Sequence, residues 1–176
     1  AGLIFTASGF FFPTQLACLF LEPTEEILSM AVPAIRLYFL AFLVSEWNIT
    51  ITDALRRGAK ETLLKHGVAD SDILEAWVPG SFELASGAQF LLEKGGLHGV
   101  ICLGSVVRGE TPHFDFVCQG TTQGIMAVGL KFSVPVIFGV LTDDTLEQAQ
   151  DRSGGKHGNK GIDCAVAALK MAALKG

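Results

Sequence analysis

The chain has 176 residues and a formal net charge of −5, from 13 lysines and arginines against 18 aspartates and glutamates. Its length suits one well-buried domain and is short for two domains of ordinary size. The acidic balance, without a basic stripe, argues against a general nucleic-acid-binding protein but is compatible with a small anionic substrate, which needs only one or two local cations.

The N-terminal segment, residues 1–43, is much more apolar than the chain that follows. It contains two apolar runs of roughly 15 to 20 residues, close to the length that crosses a bilayer, although prolines, a glutamine and an arginine interrupt them. The stretch AVPAIRLYFLAFL is similar to helices of MATE-type multidrug transporters. Two interpretations stay open: a membrane tether, or a fused, mis-started or added segment in front of a soluble domain. We favour the second and expect no membrane partner.

After this segment, apolar runs typical of strands alternate with stretches of helical periodicity. The predicted strands cover residues 38–44, 72–78, 99–104 and 134–142. The predicted helices cover residues 52–67, 82–94, 113–132, 144–152 and 163–175. Thr52 is expected to cap the first helix and Gly67 to end it.

This alternation predicts a parallel sheet between two layers of helices, joined by right-handed crossovers. The third strand, GVICLG, is almost continuously apolar, as expected where helices cover both faces of a sheet. Ligands of such sheets bind beyond the carboxyl ends of the strands. The residues that follow each strand are therefore the candidates for a binding site.

Aromatic and polar residues follow the first two strands. Trp47 offers a flat face for stacking a heteroaromatic ring and Asn48 an amide to hydrogen-bond it, although a tryptophan here is also compatible with simple packing. Ser81, Phe82 and Glu83 open the second helix, where backbone N–H groups are free and a carboxylate is favoured. Glu83 is therefore either a first-turn charge or an acceptor for substrate hydroxyls.

The stretch RGETPHFDF, after the third strand, combines features of an anion-binding helix start. Gly109 lets a ligand approach the backbone closely, and Glu110 and Thr111 present N–H groups at the incoming helix. Pro112 suits the first position of that helix. His113 is the one side chain here that both accepts and donates a proton near neutral pH. The alternative is an ordinary surface histidine.

Three further candidates lie in or after the fourth strand: Phe138 within it, and the cations Arg152 and Lys160 after it. Arginine offers a planar fork that matches phosphate, whereas lysine supplies a point charge. Arg152 and Lys160 flank the glycine-rich turn SGGKHGNKG, and they are either phosphate ligands or solvated surface charges.

The cysteine pattern indicates a reducing environment. The four cysteines are widely spaced, without a Cys-x-x-Cys pair, and three of them lie in apolar segments, where a thiol behaves as a small hydrophobic group. We expect reduced thiols in a cytoplasmic protein, with no disulfide and no metal site. The cysteines are Cys18, Cys102, Cys118 and Cys164.

Several motifs follow one another in a characteristic order: SEWNITITDAL, VPGSFEL, LGSVVRGETPHFDFV, SVPVIFGVLTDDTLEQA and DRSGGKHGNKG. With them the chain closely resembles the lumazine synthase (6,7-dimethyl-8-ribityllumazine synthase) family over a domain of residues 44–176. The resemblance implies an α/β class protein with a three-layer α/β/α, flavodoxin-like fold and a four-stranded parallel sheet. It also implies homo-oligomers, usually pentamers and in some members icosahedral shells of about sixty subunits.

The resemblance assigns one group of residues to 5-amino-6-(D-ribitylamino)uracil. Trp47 would stack on its pyrimidine ring, with Asn48 beside it. The ring and the ribityl chain would be held by Ser81, Phe82 and Glu83 and by the backbone of Ser105, Val106 and Val107.

A second group is assigned to 3,4-dihydroxy-2-butanone 4-phosphate. Its phosphate would be bound by Glu110 and Thr111 and clamped by Arg152, while His113 would move protons. In this family, Phe138 and Arg152 reach the site from a neighbouring subunit, so activity would require assembly. Lys160 is assigned to the same site.

The implied reaction joins the two substrates into 6,7-dimethyl-8-ribityllumazine, with release of phosphate and water, in riboflavin biosynthesis. Its steps are proton transfers and the expulsion of an anion, so we expect neither a cofactor nor a metal. The expected partners are small-molecule substrates and other copies of the chain. A structural alternative stays open, in which the chain mainly builds a shell and its pocket is unused.

Overall fold

The four predicted strands pair in one parallel sheet, which the computed structural model describes with its helices over residues 39–175. The sheet strands are β1 (Leu40–Ser45), β2 (Ile73–Val78), β3 (Gly99–Val107) and β4 (Val136–Asp143). The helices are α1 (Ile49–Lys65), α2 (Leu84–Glu93), α3 (His113–Phe132), α4 (Leu146–Arg152) and α5 (Lys160–Lys175). The short strands β5 (Ser153–Gly155) and β6 (Gly158–Asn159) form an antiparallel hairpin between α4 and α5.

The order of strands in the sheet is β2-β1-β3-β4, and every neighbouring pair is parallel. β1 and β3 therefore lie at the centre, and β2 and β4 form the edges. The chain runs outward from β1 to β2 and then crosses back over β1 to β3, so the direction of winding reverses between the two central strands. In sheets of this kind, the crevice at that reversal is the usual ligand site.

Helices cover both faces of the sheet, which confirms the predicted three-layer fold. Side chains of a strand alternate between its two faces. In β1, Leu40, Phe42 and Val44 pack with α1 and α5, whereas Ala41 and Leu43 pack with α2 and α3. All five side chains are buried. A strand between two helical layers is therefore apolar at every position, without the alternation of a half-exposed strand.

The start of α1 differs from the prediction. Thr52 is not its cap, because the helix begins at Ile49 and Asn48 occupies the cap position in the left-handed conformation, with φ 60°. Thr52 lies inside the helix, where its hydroxyl donates to the Ser45 carbonyl at 2.9 Å and ties α1 to the end of β1. Gly67 lies just beyond the helix with φ 86°, in agreement with its predicted role as a stop.

The starts of two other helices also differ from the prediction. Residues Ser81–Glu83 form a short 3-10 turn ahead of α2. Helix α5 begins at Lys160, earlier than the predicted residue 163, because the glycine-rich turn is shortened by the β5–β6 hairpin.

Asn159 fixes the β5–β6 hairpin against α1. Its Nδ2 donates to the Ala54 carbonyl at 2.8 Å and to the Ser153 carbonyl at 3.2 Å, and its Oδ1 accepts from the Gly161 N–H at 2.8 Å. One side chain thereby joins α1, β5 and the start of α5. The end of α4 and the start of α5 consequently have fixed positions relative to the sheet.

Within residues 39–175, no helix has the length and apolar character needed to cross a membrane. The first of the two predicted apolar runs lies outside the described residues. Of the second run, only the last residues are described, and they lead into and form β1.

The first prediction concerns Gly161, at the contact between α5 and α1. A methyl group there would overlap the carbonyl oxygen of Leu55, which belongs to the backbone of α1 and cannot move aside easily. We expect Gly161→Ala to lower the free energy of unfolding by about 3 kcal/mol, measured by urea denaturation at one protein concentration.

Gly129→Ala in α3 is the matched control for this change. Its methyl group would meet no atom closer than 3.4 Å. Because alanine favours the helix, stability should stay the same or rise by up to about 1 kcal/mol. Equal stabilities of the two variants would contradict the packing argument.

Candidate active site

A cavity of about 730 Å³, here called the main cavity, opens at the carboxyl ends of β1, β2 and β3. Its volume is typical of small-molecule sites. Most residues selected from the sequence line it: Trp47, Asn48, Ser81, Phe82, Glu83, Ser105, Val106, Val107, Thr111 and His113. The wall also contains residues that the sequence did not single out: Pro79, Gly80, Phe114, Phe116 and Val117.

Two serine hydroxyls of the main cavity are buried without a protein partner. The Oγ atoms of Ser81 and Ser105 form no hydrogen bond with the residues that the structure describes. The backbone at both serines is fixed, because Thr121 donates to the Ser81 carbonyl at 3.2 Å and Asn48 Nδ2 donates to the Ser105 carbonyl at 3.0 Å. Buried hydroxyls are nearly always paired. The described residues therefore leave the hydrogen-bonding capacity of these two hydroxyls unused at the cavity wall.

Trp47 presents its indole at the rim of the main cavity, where the residue is 73% exposed. Backbone hydrogen bonds hold the turn around it: the Glu46 N–H donates to the Val78 carbonyl at 2.8 Å, and the Trp47 N–H donates to the Pro79 carbonyl at 3.3 Å. The left-handed conformation of Asn48, which asparagine adopts more readily than most residues, turns the chain into α1. An indole so exposed favours ligand contact over the packing alternative.

Phe82 lies against α3 at Gly120. The residue is 55% exposed, and a methyl group at Gly120 would come within 2.6 Å of its Cε2 atom. The ring thus uses space that only a glycine leaves free on this helix. Together with the Thr121 bond to Ser81, this contact fixes the 3-10 turn at the wall of the cavity.

Arg108 holds the loop between β3 and α3 in place, a role that the sequence did not reveal. Its backbone N–H donates to the Asp143 carbonyl at 2.9 Å. Its side chain donates from Nε to Asp144 at 2.6 Å and from Nη1 to Asp115 at 3.2 Å, and it lies 4.1 Å from the centre of the Phe114 ring. The hydrogen bond to Asp144 is the main cause that raises the pKa of this guanidinium. Arg108 is therefore committed to holding the loop.

The loop that Arg108 holds brings the start of α3 to the main cavity. The helix begins at His113, directly after Pro112, as predicted. Gly109, Thr111 and His113 line the cavity, whereas Glu110 is exposed and lies outside the lining. The free N–H groups at the start of a 20-residue helix attract an anion. The geometry therefore supports an anion site next to His113.

The remaining predicted residues lie elsewhere in the chain. Phe138, Arg152 and Lys160 line a second cavity of about 510 Å³, here called the β4 cavity, which lies between edge strand β4 and the helices α4 and α5. The two cavities share no lining residue. Within one chain, the structure does not bring Arg152 to His113.

Each cation of the β4 cavity pairs with a carboxylate. Lys160 Nζ lies 2.8 Å from Asp163 Oδ2, an exposed partner on the same helix. Arg152 Nε lies 3.6 Å from Asp143 Oδ1, a buried partner at the end of β4. Burial raises the pKa of Asp143, against the opposing effect of the Arg152 charge.

Comparison with known proteins gives one consistent family. A family model described as 6,7-dimethyl-8-ribityllumazine synthase matches residues 38–176. A protein of that name from Cytophaga hutchinsonii is 54% identical over 142 residues, which cover 81% of this chain and 89% of the relative. One from Porphyromonas gingivalis is 51% identical, covering 82% of this chain and 90% of the relative. One from Lactiplantibacillus plantarum is 50% identical, covering 74% and 82%.

The second prediction separates the two contributions of Asn48, its left-handed backbone and its bond to Ser105. Asn48→Gly loses only the hydrogen bond and should lower the free energy of unfolding by about 1 kcal/mol. Asn48→Ala also forces an ordinary side chain into the left-handed region, so it should lose about 2 kcal/mol. Denaturation of both variants beside the unchanged protein measures the order. An alanine variant as stable as the glycine variant would contradict it.

Proposed function

This chain belongs to the 6,7-dimethyl-8-ribityllumazine synthase family, and from that premise we propose that the main cavity is its active site. The chain catalyses the transferase reaction of the family in riboflavin biosynthesis, in which 5-amino-6-(D-ribitylamino)uracil and 3,4-dihydroxy-2-butanone 4-phosphate condense to 6,7-dimethyl-8-ribityllumazine. One observation carries the placement of the site: an exposed indole, two unpaired buried hydroxyls and a histidine at a helix start share this cavity.

The uracil substrate occupies the part of the main cavity between β1 and β2. Trp47 stacks on its ring, and Phe82 forms another part of the cavity wall. Ser81 and Ser105 line this part of the wall, and among the described residues their Oγ atoms have unused hydrogen-bonding capacity. Further contacts come from Asn48, Glu83 and the backbone of Val106 and Val107. Since one Nδ2 hydrogen of Asn48 is bonded to the Ser105 carbonyl, its Oδ1 and its second Nδ2 hydrogen are left for the ligand.

The phosphate of the second substrate binds at the loop before α3. Backbone N–H groups of Glu110 and Thr111, with the helix start behind them, suit its negative charge. Arg108 supports this assignment indirectly, because its bonds to Asp144 and Asp115 hold the loop from both sides. Although the Glu110 side chain lies outside the lining, its role needs only the backbone.

Arg152, Phe138 and Lys160 complete the site from a neighbouring subunit. Their position in the separate β4 cavity supports this assignment, since one chain keeps them apart from the main cavity. Arg152 is 47% exposed in its side chain, so its guanidinium is accessible to a partner's ligand. Its planar fork suits the leaving phosphate, and Lys160 adds a second, mobile charge.

The reaction needs proton transfers and one leaving anion. The aromatic amine of the uracil attacks the ketone of the four-carbon phosphate, and water leaves to give an imine. Phosphate is then eliminated, and ring closure releases a second water. His113 accepts and donates the protons, while Arg152 and the α3 start stabilise the departing phosphate. Proton transfer by a positioned side chain raises the rate by about 10²- to 10⁴-fold. Orientation of the two substrates lowers the barrier by up to about 7 to 11 kcal/mol, which is the larger effect.

The shared site requires a homo-oligomer, for which we propose a cyclic pentamer and, as a further level, an icosahedral shell of about sixty subunits. We also propose a cytoplasmic location. The thiols of Cys102, Cys118 and Cys164, the cysteines within the described range, are free, which suits a reducing compartment.

The third prediction tests the proton-transfer role of His113. His113→Ala should lower kcat by about 10²-fold without abolishing turnover, because orientation of the substrates is retained. The absorbance of the lumazine product measures the rate. His66→Ala, at the far end of α1, is the control and should keep the rate of the unchanged enzyme. A His113→Ala enzyme with full kcat across neutral pH would exclude this role.

The fourth prediction tests the sharing of the site between subunits. His113→Ala and Arg152→Ala chains should each be impaired, because each damages every site of its own assembly. Co-assembled in equal amounts, about a quarter of the sites should combine an intact His113 with an intact Arg152 from the neighbour. Activity of the mixture should therefore exceed that of either variant. A mixture no more active than its components would contradict the sharing of the site between subunits.

A further inference from the structure

The strongest unexplained group outside the main cavity is the carboxylate of Asp143. This residue is 6% exposed, at the carboxyl end of β4, where it lines the β4 cavity. Its backbone carbonyl accepts from the Arg108 N–H, which fixes the main chain. Its Oδ2 atom has no hydrogen-bond partner among residues 39–175. A buried carboxylate so incompletely paired is costly, and the fold gains no packing advantage from the charge.

Arg152 is the cation that faces this carboxylate. The Arg152 Nε lies 3.6 Å from Asp143 Oδ1, and Arg152 is the last residue of the seven-residue helix α4. A half-exposed arginine loses rotamer entropy when a ligand orders it. A buried carboxylate at the end of a sheet strand reduces that loss, because it restrains the guanidinium before a ligand arrives. A contact through Nε also leaves the two terminal Nη groups for a second anion.

The two cations of the β4 cavity differ in this respect. The partner of Lys160 is Asp163, which is 64% exposed and lies three residues further along the same helix. Such an exposed ion pair contributes little to stability and restrains the lysine side chain only weakly. The partner of Arg152 is buried on a strand. The structure therefore restrains one cation and leaves the other free to move.

We propose that Asp143 is a positioning residue that holds the Arg152 guanidinium in the orientation in which it receives the phosphate group of the second substrate. This inference rests on the proposed role of Arg152 as the phosphate clamp. Asp143 itself touches no substrate and acts through Arg152.

A positioning role for Asp143 predicts a measurable effect on the stability of the fold. Burial raises the pKa of Asp143, so its charged form is less favourable in the folded than in the unfolded protein. The charged groups around it are Arg152 on α4, the neighbouring Asp144, and Lys160 and Asp163 on α5. The destabilisation is present at neutral pH and disappears as the pH falls below the pKa of an unfolded aspartate. Asp143→Asn should therefore be at least as stable as the unchanged protein at pH 7, and its advantage should shrink at acidic pH.

The test is a double-mutant cycle on the assembled enzyme, with Asp143→Asn, Arg152→Ala and the double variant. Asp143→Asn should raise the KM for the four-carbon phosphate by about 3- to 10-fold, with less than about a twofold change in the KM for the uracil. In the Arg152→Ala background, Asp143→Asn should have no further effect. Glu147→Gln, which removes one exposed negative charge from α4, is the control and should leave both constants unchanged. If Asp143→Asn fails to fold, Asp143→Ser enters the same cycle.

The outcomes are distinguishable. An unchanged or lower KM for the phosphate in Asp143→Asn, beside an impaired Arg152→Ala, overturns the positioning role and leaves the proposed function intact. If the effects of the two substitutions on the KM for the phosphate add up in the double variant, the positioning role is overturned. It is also overturned if Asp143→Asn lowers the melting temperature and raises the KM for both substrates equally, because that result shows a structural role. Normal kinetics of Arg152→Ala overturn the clamp itself, and the positioning role with it.

Discussion

The parallel pairing of β1 with β3 is the constraint on which the candidate site depends. The register sets Val44 beside Leu103, so the two central strands end at the same edge of the sheet. Trp47 and Asn48, just after β1, and Ser105, near the end of β3, consequently meet there. The amide of Asn48 closes the junction by its bond to the Ser105 carbonyl. Because the winding of the chain reverses between these strands, none of the helices within residues 39–175 fills the space above them, and a cavity remains.

The strands of the sheet could be predicted from the sequence, but the contacts that hold the site in place could not. The apolar runs of β1 and β3 are local signals, and a strand buried on both faces has few alternatives. The motif around Arg108 also showed which chemical groups were present. It did not show that the guanidinium binds Asp144, a residue 36 positions away. Nor did it show that Asn159 reaches Ala54, 105 positions away. Spacing along a chain predicts neighbours on one element, whereas these bonds join elements that only the folded sheet brings together.

The exceptions to good polar pairing fall at the two cavities. Among the described residues, the buried side-chain atoms without hydrogen-bond partners are Ser81 Oγ, Ser105 Oγ and Asp143 Oδ2. A fold selected for stability alone would pair such atoms or replace them. The two serines line the cavity that holds Trp47 and His113, and Asp143 lines the one that holds Arg152. The chain therefore tolerates unfavourable burial in the places where its chemistry is expected.

The separation of the two cavities also constrains the symmetry of the proposed assembly. The main cavity faces out from the ends of the central strands, and the cations of the β4 cavity lie at an edge strand, without any shared lining residue. When one patch of a subunit contacts a different patch of the next subunit, the copies form a ring if the rotation from one copy to the next closes on itself. They form an open filament if it does not. An open chain of subunits leaves one main cavity without its Arg152 and one Arg152 without a cavity. A closed ring leaves neither, so that each subunit completes one site and contributes to another. If the site is shared as proposed, every catalytic site has all its residues only when the ring of subunits is closed.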